Sequence, residues 1–331
     1  MSFGAKCIGA YADDVNETIY WFVYDPGGTN ADGQTTDAVD MIVSYNMNTD
    51  QLVYHVMSVS VLNFNPQYLI TGVNRIGDLL FFTDDLNPPR RINVTRHYQF
   101  PSGSPFSDNI TEDDISVIVK PPALPPSINM VKTGAEENFI EDKLIAFAYR
   151  YRYRDGEYSA LSSFSELAFN AKEFEFNRSS YDNGGMENRF NAAEVTFNTG
   201  PSNVDKIQLC YKVSDTNTIS VIQTYDKADL GYTDNTDKTI VFDNSKAYAA
   251  LPSNQLARAY DNVPLKAKAQ TISGNRLVYG NYNDGRDLTD EDGNDVKIAY
   301  TSERRTTTSA VFKESAPVSY THLRAHETES N

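Results

Sequence analysis

Tryptophan occurs once in this chain, at Trp21, and cysteine twice, at Cys7 and Cys210. The two cysteines lie far apart and neither belongs to a CxxC pair, which argues against a disulfide framework or a zinc site. The single tryptophan rules out the sialidase-type Asp box, which needs one after SxDxG. Basic residues are outnumbered: 29 Lys and Arg stand against 45 Asp and Glu, a formal net charge of −16. Such a surface does not grip nucleic acid or anionic lipid, because that requires an excess of cations. The most apolar run near the start, Ile19 to Tyr24, is far shorter than the roughly 20 residues of a membrane-spanning helix. No segment carries a long helical period, and none reads as a signal peptide, so synthesis in a cytoplasm is expected.

What the chain does have is 21 Tyr and 17 Phe, distributed in short apolar runs between Gly, Asp, Asn and Pro. That is the pattern of an all-β protein. Tyr68 to Val94 is its clearest expression. Leu69, Ile70 and Val73 predict one strand, Leu79 to Thr83 a second and Arg91 to Val94 a third, with turns at Asn74 to Gly77 and at Pro88 and Pro89. Before it, four strands are predicted at Cys7 to Tyr11, Ile19 to Tyr24, Met41 to Tyr45 and Leu52 to Val56. Four strands followed by a similar set is the pattern of successive β-propeller blades, although WD and kelch signatures are missing.

The segment Lys120 to Pro126, KPPALPP, predicts an extended polyproline spacer and marks the end of a first region, residues 1–126. A second region, 127–257, opens with Phe147, Tyr149, Tyr151 and Tyr153 alternating with Ala148, Arg150, Arg152 and Arg154. Period two places the aromatic residues on a buried face and the arginines on a solvated one, and Asp155-Gly156 turns the chain into a return strand over Glu157 to Ser163. With further strands at Val195 to Phe197, Lys206 to Val213 and Ile219 to Tyr225, this region reads as one or two inserted β-sandwich modules of fibronectin type III character. Residues 258–316 return to the opening pattern, with strands at Asp261 to Leu265, Ala269 to Gly274, Leu277 to Tyr282 and Val296 to Tyr300. The stretch 317–331 contains PVSYTHLRAHET, which reads like the translated end of a sequencing-library adapter. It is set aside with His322 and His326, and the natural chain is expected to continue past Ala316; the start is open to the same reading.

Few residues are left for chemistry. His55 sits among apolar strand residues and His97 in a polar loop, neither at a metal-ligand spacing, so both read as structural or surface residues. GxSxG, Walker and GxGxxG strings do not occur. The acidic run Asp287 to Asp295 matches a calcium loop in part, through Asp290, Asp292 and Asn294, but Asp295 stands where that loop needs Gly and Thr301 where it needs Glu. A solvated hairpin loop is the better reading. No catalytic, cofactor-binding or metal-binding residue is therefore assigned.

Three strings in order, LLFFTDDLNPPRRINV, FAYRYRYRDGEYSALSSFS and DNVPLKAKAQTISGNRLVYGNYNDG, resemble the tail stabilisation, or muzzle, proteins of crAss-like phages, counterparts of the tail-nozzle proteins of other short-tailed phages. The resemblance implies an incomplete β-propeller with inserted β domains and a structural, non-enzymatic role in the virion tail. It further implies a homo-oligomeric ring beside adjacent tail and portal-side ring proteins, with no cofactor. DNA would pass through without specific binding, and the negative charge would keep phosphates from being held. The alternative is a carbohydrate-active or glycan-binding β protein, because propellers and sandwiches host both.

Overall fold

A computed structural model describes residues 1–96, 98, 110–256, 262–274 and 276–284. His97, the acidic run Asp287 to Asp295, the strand predicted over Val296 to Tyr300 and the stretch 317–331 lie outside the described residues. Residues Met1–Gly285 make one compact unit. Among the described residues it is all-β, built from several small antiparallel sheets, none of them closed.

The first sheet has the order β1-β2-β5-β6, from β1 (Lys6–Asp13), β2 (Thr18–Tyr24), β5 (Asp40–Asn46) and β6 (Gln51–Ser58); a two-stranded ribbon of β3 (Gly28–Thr29) and β4 (Thr35–Thr36) fills the long second connection. Its two tight turns share one chemistry. The Asp13 carboxylate accepts from the amides of Val15 and Asn16, and Asn46 Oδ1 accepts from those of Asn48 and Thr49. Each turn then closes on a left-handed residue, Glu17 at φ 48° and Asp50 at φ 55°, a conformation that short polar-led turns stabilise.

The second sheet, β7-β8-β9, is formed by β7 (Gly72–Ile76), β8 (Leu79–Thr83) and β9 (Arg90–Asn93). Its first strand starts later than predicted because Ile70 is used elsewhere: its amide donates to the Ile8 carbonyl at 2.9 Å. The Ile70 backbone lies so close to β1 that a Cβ on Gly9 would stand 2.6 Å from the Ile70 oxygen. The two sheets meet face to face. Tyr20, Phe22, Ile42 and Val56 of the first pack with Val73, Leu80, Phe82 and Ile92 of the second, and Phe22, Phe64 and Phe82 form a ring triad at the centre. A single helical turn, α1 (Glu112–Ile115), adds Ile115 to the same core.

The second region contains two sheets. One has the order β10-β14-β17, from β10 (Ser127–Val131), β14 (Ala192–Asn198) and β17 (Asp237–Phe242). The other has the order β11-β15-β16-β18, from β11 (Ile145–Tyr153), β15 (Val204–Val213), β16 (Ile219–Asp226) and β18 (Ala249–Ala250). A hairpin of β12 (Phe176–Asn177) and β13 (Asp182–Asn183) and the single turns α2 (Lys227–Leu230) and α3 (Ser253–Leu256) complete it. The sheets pack on each other through Phe147, Tyr149, Val195, Phe197, Leu209 and Phe242.

Two expectations for this region are corrected. Arginine at position 150 is not solvated. Leu251 and Leu256 fold over the second face of the sheet with Cys210 and Ile219 beneath them, and Arg150 is left 5% exposed. It is fully engaged there: Nε donates to Gln208 Oε1 at 2.8 Å, an Nη to Gln255 Oε1 at 2.7 Å, and the guanidinium lies 4.3 Å from the Tyr158 ring centre. Arg152 is half-buried and pairs with Asp205 at 3.0 Å.

The return strand over Glu157 to Ser163 is also absent, replaced by a strap of period three. The amides of Ser159, Ser162, Ser165 and Ala168 donate to the carbonyls of Tyr151, Tyr149, Phe147 and Ile145 at 2.7–2.9 Å. In the opposite direction the amides of Tyr151, Tyr149 and Phe147 donate to the hydroxyls of Ser159, Ser162 and Ser165. Each hydroxyl passes its own proton to the next carbonyl along the strap. Three strap residues thus serve the length of two strand residues, and the β11 edge is satisfied without a regular strand.

After this region the chain returns to the second sheet as a hairpin, β19 (Lys266–Ser273) and β20 (Arg276–Asn283). No separate strand precedes it over residues 262–265. The hairpin lies on the face of the second sheet turned away from the first. Ala267 accepts from the Asp85 amide at 3.0 Å, Gln270 Nε2 donates to the Phe81 carbonyl at 2.8 Å, and a Cβ on Gly72 would stand 2.9 Å from the Gln270 nitrogen. Three β layers are therefore stacked, the third contributed by chain that follows the two-sheet region. Among the described residues no helix is long and apolar enough to cross a membrane.

Candidate functional site

Of the residues weighed for chemistry, His55, Cys7 and Cys210 lie among the described residues. His55, on β6, is buried, with Nε2 2.8 Å from Oγ of Ser44 on β5 and its ring 5.7 Å from that of Tyr20. Cys7 is exposed and Cys210 buried, and no disulfide joins them. Burial pushes the Cys210 thiol up to about 12, which removes it as a nucleophile near neutral pH. Among the described residues no three metal-ligating side chains come together.

A charged interior lies where the first two sheets meet. Arg90, Asp84 and Asp40 are all buried there. An Arg90 Nη donates to the Leu62 carbonyl, Asp84 accepts from the amide and side chain of Asn87, and Asp40 accepts from the Phe64 amide at 2.7 Å. Burial raises the Asp40 carboxyl to about 6, against the pull of the Phe64 amide and of Arg90. These groups hold the Leu62 to Phe64 connection in place.

A cleft of about 470 Å³ lies elsewhere, between the proline-rich segment and one end of the two-sheet region. Its size is that of a small-molecule site. Period two along β11 sets Tyr149, Tyr151 and Tyr153 in a row on one wall, with neighbouring ring centres 5.8 and 6.5 Å apart and close to perpendicular. Gly200 makes the row possible. At φ 70° it lies against the Tyr151 ring, where a Cβ would meet the ring at 2.8 Å. Burial raises the phenols of Tyr149 and Tyr151, so both stay neutral. Tyr153 donates its hydroxyl proton to the Lys120 carbonyl at 2.7 Å. The segment expected to be a spacer is thereby fastened as the roof, with Pro121, Leu124 and Pro125 lining the cleft and Pro122 and Pro126 buried.

The polar lining is rich in oxygen acceptors. Asp237 Oδ1 accepts from Asn198 Nδ2 at 2.8 Å, while Asn198 Oδ1 accepts from the Gly200 amide. Asp113, on α1, pairs with Lys120 at 2.6 Å. Asn203 also lines the cleft, and its Oδ1 is buried with no hydrogen-bond partner. Each of the two carboxylates in the lining thus has a partner, Asn198 for Asp237 and Lys120 for Asp113. The sequence reading contained the tyrosine row but not the cleft, whose other residues come from positions 113 to 237. No protein-family model matches this chain, and no curated protein matches it.

Proposed function

We propose that this chain is a structural protein of a short phage tail, a copy of a multi-subunit ring at the tail's end through which DNA leaves. The phage assignment rests on the three strings that resemble the muzzle proteins. The observation that carries the structural half is the stack of three β layers, the third supplied by chain that comes after the two-sheet region. A propeller adds blades in this way, face to face, and tolerates a module inserted between two of them. The first two sheets and the β19–β20 hairpin are then parts of successive blades, and residues 127–257 an inserted module of fibronectin type III character, with three strands facing four.

The formal charge of −16 suits a conduit for a polyanion, since a wall without free cations makes few of the phosphate contacts that would hold DNA. The protein would be made in the bacterial host's cytoplasm and carried in the virion, in contact with neighbouring tail and portal-side rings. Peptide mass spectrometry of purified virions tests the proposal. It predicts this chain at several copies per particle, at tail-protein stoichiometry. Particles that lack it altogether would overturn the proposal. The glycan-binding alternative is favoured by one observation, the aromatic cleft, and is compatible with a tail-end location.

A further inference from the structure

The cleft beneath the proline-rich segment combines features that select for one ligand class. Its wall carries phenol rings, and Tyr151 and Tyr153 present edges and faces at right angles, so a ring with apolar C–H faces can pack there. Its floor carries oxygen acceptors, with Asp237 exposed at the rim and Asn203 beneath. The one cation in the lining, Lys120, is taken by Asp113. An anionic ligand would thus meet carboxylates without a free cation, and a purely apolar one would strand the amides. A neutral polyol has both the C–H faces and the hydroxyl donors.

The unpartnered oxygen of Asn203 is a second, independent observation. It is buried on a residue only 6% exposed, and native proteins rarely leave such an acceptor unmet. A ligand hydroxyl donated at the floor of the cleft would satisfy it. We infer that this cleft binds a neutral sugar ring, stacked on Tyr153 and hydrogen-bonded through Asp237 and Asn203. The site deepens the glycan-binding reading and does not depend on the tail assignment.

Saturation-transfer NMR on the whole chain, with glucose, galactose, mannose and N-acetylglucosamine as probes, tests it. At least one sugar is expected to show saturable transfer with a dissociation constant on the order of 1 mM, the weak affinity of a small, partly enclosed ligand. Tyr153→Ala and Asp237→Ala should each weaken it by roughly tenfold, the loss of one good contact. Asp237 is exposed, so its variant keeps the fold and remains informative if Tyr153→Ala does not. Tyr181→Ser, on the exposed β12–β13 hairpin, should leave binding unchanged. No saturable transfer from any of the four sugars, or transfer that Asp237→Ala does not weaken, overturns the inference. Sugar binding by a chain that proves absent from virions would leave this site standing and remove only the tail proposal.

Discussion

At the scale of single residues, Asp40 and Gly200 carry opposite kinds of constraint. The folded state raises the Asp40 carboxyl from its ordinary 3.8 to about 6. A group raised on folding contributes stability in full below its unfolded value and loses it as pH rises through the folded one. Asp40 therefore costs up to roughly 3 kcal/mol above pH ~6, since each pH unit of difference is worth about 1.4 kcal/mol. Asp40→Asn keeps an oxygen for the Phe64 amide and removes that penalty. Urea unfolding should show the variant gaining on the parent as pH rises from about 4 to about 7; a constant difference across that range would contradict the burial argument. Gly200→Ala sets a Cβ against the Tyr151 ring from a left-handed backbone and should cost about 2–4 kcal/mol, read as a lower urea midpoint.

Elements show where a reading of sequence succeeds and where it stops. The alternation in β11 and the apolar runs of β2, β5 and β8 are visible because a strand's own residues record its faces. Arg150 was misplaced because alternation records two faces but not what covers each of them, and Gln208 and Gln255 are distant in sequence. The strap was misread for a related reason. Ser159, Ser162 and Ser165 recur every third residue, a visible signal, yet serines after Asp-Gly suit a turn and a return strand equally well. Its hydroxyls matter because they accept protons from buried strand amides. Ser162→Ala leaves the Tyr149 amide without that acceptor and should cost about 1–3 kcal/mol. Ser162→Thr, which keeps a hydroxyl, should cost less; equal losses would mean the hydroxyl contributes nothing.

For the whole molecule, the two-sheet region is joined to the second sheet at defined points. Arg91 pairs with Glu157 at 2.6 Å, and Asn93 Nδ2 donates to Asp155 Oδ1 at 2.9 Å. Replacing Asn93 and Glu157 together by Ala should split one thermal transition into two, and a single unchanged transition would show that other contacts couple the parts. Such junctions, like the cleft, unite residues that no local pattern links. That is why the all-β class and the strand sets were legible from sequence while the stacking, the roof and the cleft were not. The central claim concerns place in a virion, and immunogold electron microscopy tests it most directly. Antibodies raised against the exposed β12–β13 hairpin, where Phe174 and Tyr181 are 72% and 81% exposed, should mark the far end of a short tail on intact particles. Label confined to the capsid, or particles that bind no antibody while the free protein does, would contradict it.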